Sequence, residues 1–243
     1  MDDRWFYLVE SVETVVKAKL RTDTKELEPE IVRRLHSLPS ATTADLRTLR
    51  REYSRRIAKL SGEAVIDLGL QLLKGNSFVL RFFAYELIQH HGSAPALLNS
   101  RTVRLLGEGI DSWYAVDTFA CYLSGPAWRA RLVPDSVIVS WARSKDRWWR
   151  RAAVVSTVAL NNKARGGKGD SCRTLQICRL VVDDRDDMVV KALSWSLREL
   201  SKRDGSLVEE FISENETRLA ARVLREVRNK LKTGLKNPKA YRD

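Results

Sequence analysis

A chain of 243 residues with 44% hydrophobic side chains can bury a sizeable core, in one large domain or two small ones. Lys and Arg number 43 against 31 Asp and Glu, a net charge of +12 that points to a polyanionic partner, nucleic acid first. The composition argues against other classes: no apolar run approaches the roughly 18 residues of a spanning helix, and Met1 to Glu10 carries acids where a secretory leader needs bases.

Cys121, Cys172 and Cys178 are odd in number, and His36, His90 and His91 are few and poorly spaced, so no metal and no cofactor is expected. GxGxxG, P-loop, HExxH and GxSxG signatures are absent. The thiols fit a reducing compartment, and the expected location is cytoplasmic, on the nucleoid through DNA binding, with no membrane contact.

The chain reads as helices almost throughout. Arg4 to Lys19 places Trp5, Leu8, Val9, Val12, Val15 and Val16 at helical spacing, and Glu30 to Leu38 continues the pattern as far as Pro39. Thr42 or Thr43 is a suitable cap for Ala44 to Leu60, and Ser61 for Glu63 to Lys74, which Gly75 ends. Ser77 to His91 is apolar on more than one side and should be buried. Arg101 to Gly109 and Ser112 to Leu123 follow, before a break at Ser124-Gly125-Pro126. Further helices are expected at Ser136 to Ser144 and Trp148 to Asn161, then a flexible Gly-rich basic loop from Asn162 to Ser171. Cys172 to Val182, Asp187 to Lys202 and Leu207 to Ser213 are helical again. Asn215 should cap a last helix, Glu216 to Lys232, with a frayed tail from about residue 233. No alternating run of the kind a sheet requires is present.

A loose repeat aligns Arg81, Asp117, Arg150 and Lys191, each three residues before a small residue. The spacing suits stacked helical pairs. The expected fold is therefore all-α: one solenoid of stacked helical pairs, HEAT-like or armadillo-like, over residues 1–243, with a basic concave face for DNA. Arg81, Arg150 and Lys191 would line that face together with Trp148. Asp117 is then an acid in a row of bases, where it would weaken phosphate binding unless it does chemistry.

Trp113 and Asp117 are four apart and share a helix face. Two readings of Trp113 stand, a core aromatic or a cleft edge, and Trp195 repeats the choice because Leu193, Leu197 and Leu200 can form a core with it. Within Trp148-Trp149-Arg150-Arg151, at least one arginine should face a phosphate, since its planar fork suits bidentate contact.

The stretches SWYAVDTF, WARSKDRWWRRAAVV and KALSWSLREL resemble the DNA alkylation repair glycosylases of the AlkD type, most strongly from about Phe78 to Phe211. The WxxxD motif of that family falls on Trp113 and Asp117, its arginine before Ala-Ala on Arg151, and its late tryptophan on Trp195. The resemblance implies a DNA glycosylase, and since no lysine stands out as a Schiff-base nucleophile, a monofunctional one without lyase activity is expected. Its substrates would be cationic N3- and N7-alkylpurines in duplex DNA, bulky adducts included, left unflipped during excision. Trp113 and Trp195 would bracket the lesion deoxyribose, Asp117 would support charge developing at the sugar, and Arg151 would hold the backbone. The expected partner is double-stranded DNA bound by a monomer. The alternative is a non-catalytic helical protein that binds damaged or branched DNA. The doublet Trp113-Tyr114 and the Gly-rich loop after the Arg147 helix depart from the family pattern.

Overall fold

The computed structural model describes residues 26–38 and 41–238, and within them regular structure is helical, with no strand. The helix expected at Arg4 to Lys19 lies outside the described residues, as does Pro39. The chain divides into two compact units, one through Leu97 and one from Leu98.

The first unit holds α1 (26–36), α2 (Thr43–Arg56), α3 (Gly62–Leu73) and α4 (Phe78–Gln89), then a 3-10 turn at Ala94–Leu97. Thr42 and Ser61 act as N-caps: their hydroxyls accept from Asp45 N (3.3 Å) and Ala64 N (3.2 Å), satisfying donors that a helix start leaves orphaned. α4 packs on α2 and α3 and is buried from Leu80 to Ile88, as its all-round apolarity requires.

The second unit runs through α5 (Ser100–Leu106), α6 (Trp113–Phe119), a π-helical turn (Ala120–Ser124), α7 (Gly125–Arg129), α8 (Asp135–Ala142), α9 (Arg147–Ser156) and α10 (Val158–Asn161). α11 (Ser171–Leu180), α12 (Asp187–Leu200), α13 (Gly205–Glu214) and α14 (Ala221–Thr233) complete it. Several starts are capped by an aspartate, with Asp146, Asp170, Asp186 and Asp204 accepting from the first turns of α9, α11, α12 and α13. α9 is the hub, packing on α6, α8 and α12. Side-chain bonds between successive helices recur at similar sequence offsets: Ser124 to Ser156 at 32 residues, Asp117 to Arg151 at 34, Thr157 to Ser196 at 39, Ser194 to Glu226 at 32. This is a helical repeat in which like positions meet.

Three local expectations differ from what the chain does. Ser124-Gly125-Pro126 is not a break; the helix continues through the π turn into α7. Pro126 has no N–H to give the Tyr122 carbonyl and its ring would collide with it. The Gly125 amide instead reaches back five residues to the Ala120 carbonyl, which opens that turn. Gly125 is required there, because a Cβ would sit 2.6 Å from Ala120 O and 2.8 Å from Ser156 O.

The Gly-rich stretch after Asn161 is tied down rather than loose. Gly167 N donates to Asn162 O and Gly169 N to Leu160 O, both at 2.9 Å. Arg203 donates to the Asn161 and Gly167 carbonyls, and Arg129 to those of Ala159 and Arg165. Gly166 and Gly169 have positive φ (78° and 101°), and a Cβ on Gly167 would meet Leu160 O at 2.7 Å. The glycines serve a tight path.

Asn215 closes α13 instead of opening the last helix. Its amide turns back to Phe211 O (2.8 Å), and α14 begins only at Ala221.

Candidate active site

α6 is short and two-faced. Ala115, Val116 and Phe119 are buried, while Trp113, Tyr114, Asp117 and Thr118 are not. Trp113 occupies the first position of the helix with 54% of its surface exposed, and Tyr114 meets it edge-on at 5.5 Å. Of the two readings of Trp113, the exposed edge is the observed one.

Beneath that edge an aromatic cluster fixes the helix against α9. Phe119 meets Trp141 at 5.9 Å and Trp149 at 6.1 Å, and the two tryptophans meet at 4.7 Å. Arg104 covers the Trp149 ring at 4.6 Å. Of the tryptophan pair, then, Trp149 packs inward, while Trp148 is half-buried with Arg147 over its ring at 4.8 Å. Phe119 lies two residues after Asp117 and Trp149 two before Arg151, so this cluster sets the distance between acid and base.

The two meet as a fork. Arg151 Nε donates to Asp117 Oδ1 at 2.9 Å and Nη2 to Oδ2 at 2.8 Å, the bidentate geometry. Nη1 donates to the carbonyl of Met188 in the first turn of α12, so one guanidinium joins three helices. The Arg151 side chain is 6% exposed and that of Asp117 19%. Burial pushes the Asp117 carboxyl above the usual carboxylate range, and the Arg151 guanidinium pulls against that shift. Both oxygens are held from below while part of the carboxylate still faces solvent.

Trp195 stands apart from the leucine core of its helix. Leu193, Leu197 and Leu200 are fully buried, and Trp195 lies half-buried on the outer stripe of α12 with Met188, Lys191 and Arg198. That stripe shares its helix with the carbonyl that Arg151 holds.

The remaining expected phosphate contacts are placed differently from expectation. Arg151 spends three of its five donors inside the protein. Arg150 pairs with Asp184 (2.6 Å) and donates to the Ser144 and Lys145 carbonyls. Lys191 is exposed but bonded to Asp187 at 2.6 Å. In the first unit Arg81 is buried and donates to the Tyr85 hydroxyl (3.0 Å), so it offers no outward charge. For Arg150 and Lys191 the cause is the acidic turn Asp183-Asp184-Arg185-Asp186-Asp187, whose carboxylates also hold Arg218, Arg147 and Arg222. That run of four acids was visible in the sequence as a counter-charge to the bases of α9 and α12.

Sequence reasoning passed over Tyr122 and Arg165. Tyr122 lies in the π turn, five residues after Asp117, outside any helical-face rule, and the Arg165 guanidinium lies over its ring at 5.3 Å. Arg165 is near enough to Asp117 to favour its ionised form.

Among the described residues no group of three or more His, Cys, Asp and Glu is placed to hold a metal, and no helix is long and apolar enough to cross a membrane. Cys121 and Cys178 are buried, with thiols pushed up to about 12, so neither is a nucleophile at neutral pH; Cys172 is exposed.

No curated protein and no solved structure matches the chain. A family model described as DNA alkylation repair enzyme matches residues 40–231, and the chain belongs to that family.

Proposed function

We propose that the protein is a monofunctional glycosylase that hydrolyses the N-glycosidic bond of cationic N3- and N7-alkylpurines in duplex DNA. The observation that carries this is the Trp113–Asp117 edge: a carboxylate clamped from below by a buried arginine, beside an aromatic ring open to solvent.

The chemistry asks for little else. An alkylated purine already bears a positive charge, so the C1′–N bond breaks with its electron pair leaving on the base, which becomes neutral. The charge passes to the sugar as an oxocarbenium-like centre. Asp117, as the anion, stabilises that centre across a short gap, and a water adds to C1′ and loses its proton. The electron-rich faces of Trp113 and Trp195 favour the same cationic sugar. The exposure of Trp113 supports engagement of a lesion that stays in the duplex, which would admit bulky adducts.

One observation favours a second reading, a binder that does not cut. Arg151 already offsets the charge of Asp117. Against it, a fork engages one side of each carboxylate oxygen and leaves the outer side to a ligand, and orienting an anion is what catalysis by preorganised charge requires.

The test is base release from a duplex carrying a single N7-methylguanine, scored as strand breakage after alkali, for wild type and Asp117→Asn. Asparagine keeps an acceptor for Arg151. The expected loss is on the order of 10²–10³ in rate with DNA binding retained. Wild-type protein that binds this duplex and bulky N3- and N7-adducts alike, yet releases no base, would leave the binder reading.

A further inference from the structure

The geometry points to Arg165 as the residue that holds a DNA phosphate beside the lesion sugar, the contact that Arg151 is not free to make. The inference rests on Asp117 marking where the sugar sits.

Arg151 cannot leave Asp117 without stranding a partly buried carboxylate, and its own side chain is nearly inaccessible. Arg165 has the opposite properties. It is half-buried, and no carboxylate among the described residues pairs with it. Its guanidinium rests on the Tyr122 ring, an arrangement that orients a planar cation while leaving its in-plane N–H donors for an anion.

The backbone beneath it is fixed. Arg165 N donates to Asn162 Oδ1 (3.1 Å), its carbonyl accepts from Arg129 (2.7 Å), and left-handed Gly166 turns the chain immediately after it. Those bonds use main-chain atoms, so the guanidinium is left to its stack on Tyr122. Most other arginines close to the site are engaged: Arg150 with Asp184, Arg151 with Asp117, Arg147 with Asp186. A cation preset over an aromatic ring that follows Asp117 by five residues on the same helical path suits a phosphodiester flanking the lesion nucleotide. An arginine directly on the cationic sugar would oppose the reaction; one on the adjacent phosphate would hold the sugar against Asp117.

The experiment is duplex binding across a range of salt concentrations for wild type, Arg165→Ala, Arg165→Lys and Tyr122→Leu, with base release measured in parallel. Each phosphate contact contributes about 0.9 to the slope of log affinity on log salt. Arg165→Ala should lower that slope by about one contact and weaken binding roughly tenfold, as loss of a charged hydrogen bond does. Arg165→Lys should keep the slope. Tyr122→Leu should keep the slope too but lose affinity, since the charge remains and its preorganisation does not. The thermal midpoint of Arg165→Ala should fall by no more than about 2–4 °C, because its main-chain bonds are untouched and only the stack on Tyr122 is lost. An unchanged slope in Arg165→Ala overturns the assignment, as does a wild type that binds no DNA. A wild type that binds with the expected slope changes but releases no base would overturn the glycosylase reading alone.

Discussion

Glu86 in the first unit and Asp117 in the second are both held by arginine, and the two pairs are built inside out. In the first unit Glu86 is the buried member, with a side chain 2% exposed, bonded by Arg47 Nε (3.1 Å) and Arg50 Nε (3.2 Å) while Arg47 reaches 45% exposure. His90 Nδ1 adds a third approach at 3.6 Å. In the second unit the arginine is buried and the acid faces out. Charge placed at the centre of such a pair is structural, and charge left at the rim is available to a ligand. Glu86 ties α2 to α4, whereas Asp117 is presented. The difference lies in which partner was desolvated, not in the kind of bond.

This contrast can be broken most directly by stability. Asp117→Ala strands a buried guanidinium and should cost about 3–5 kcal/mol in urea unfolding, whereas Arg151→Met should cost less, since Asp117 is the more exposed partner and can take up a proton. In the first unit the order should reverse, with Arg47→Met and Arg50→Met combined costing more than Glu86→Gln. Equal costs in both directions would remove the distinction. Next in size, Gly125→Ala should lose about 1–3 kcal/mol, because its Cβ would press on backbone carbonyls that cannot yield like a side chain; the same unfolding measurement reads it.

A pH profile sharpens the comparison further. Burial outweighs Arg151 at Asp117, so the folded state holds that proton more tightly than the unfolded chain does. The contribution of this group to stability is therefore greatest at acidic pH and is lost as pH rises through the folded pKa. The proposed reaction needs the anion and runs the other way, with an acid limb expected above the ordinary aspartate range. Arg151→Met removes the opposing pull, so the acid limb in kcat/KM should move to higher pH. The smallest effect is expected of Trp113→Leu on stability, within about 0.5 kcal/mol because the ring is mostly exposed. Base release should nonetheless fall.

Most helices could be read from apolar spacing, and Ser61 and Thr42 from their cap chemistry, because both signals are local. The Trp113–Asp117 pair was legible for the same reason, being four residues apart on one helix. The partner of Asp117 was not. Arg150 and Arg151 are adjacent and alike in sequence, and only the packing of Phe119 on Trp149 decides that Arg151 turns inward to the acid while Arg150 goes to Asp184. The glycines of residues 166–169 suggested freedom, since composition does not reveal the carbonyls that Arg129 and Arg203 hold. Asn215 misled because the same amide that can cap a helix start can also fold back on the turn behind it.

The π turn at Ala120–Ser124 inserts one residue into an otherwise continuous helical path. One residue is about 100° of rotation, so everything before the turn is out of phase with everything after it. Downstream, Ala127 and Trp128 keep their buried face. Upstream, Trp113 and Asp117 are swung round to a bearing that an unbroken helix would not give them. Deleting a single residue between Ala120 and Ser124 would restore the regular pitch and turn the acid away from Arg151 without altering either side chain.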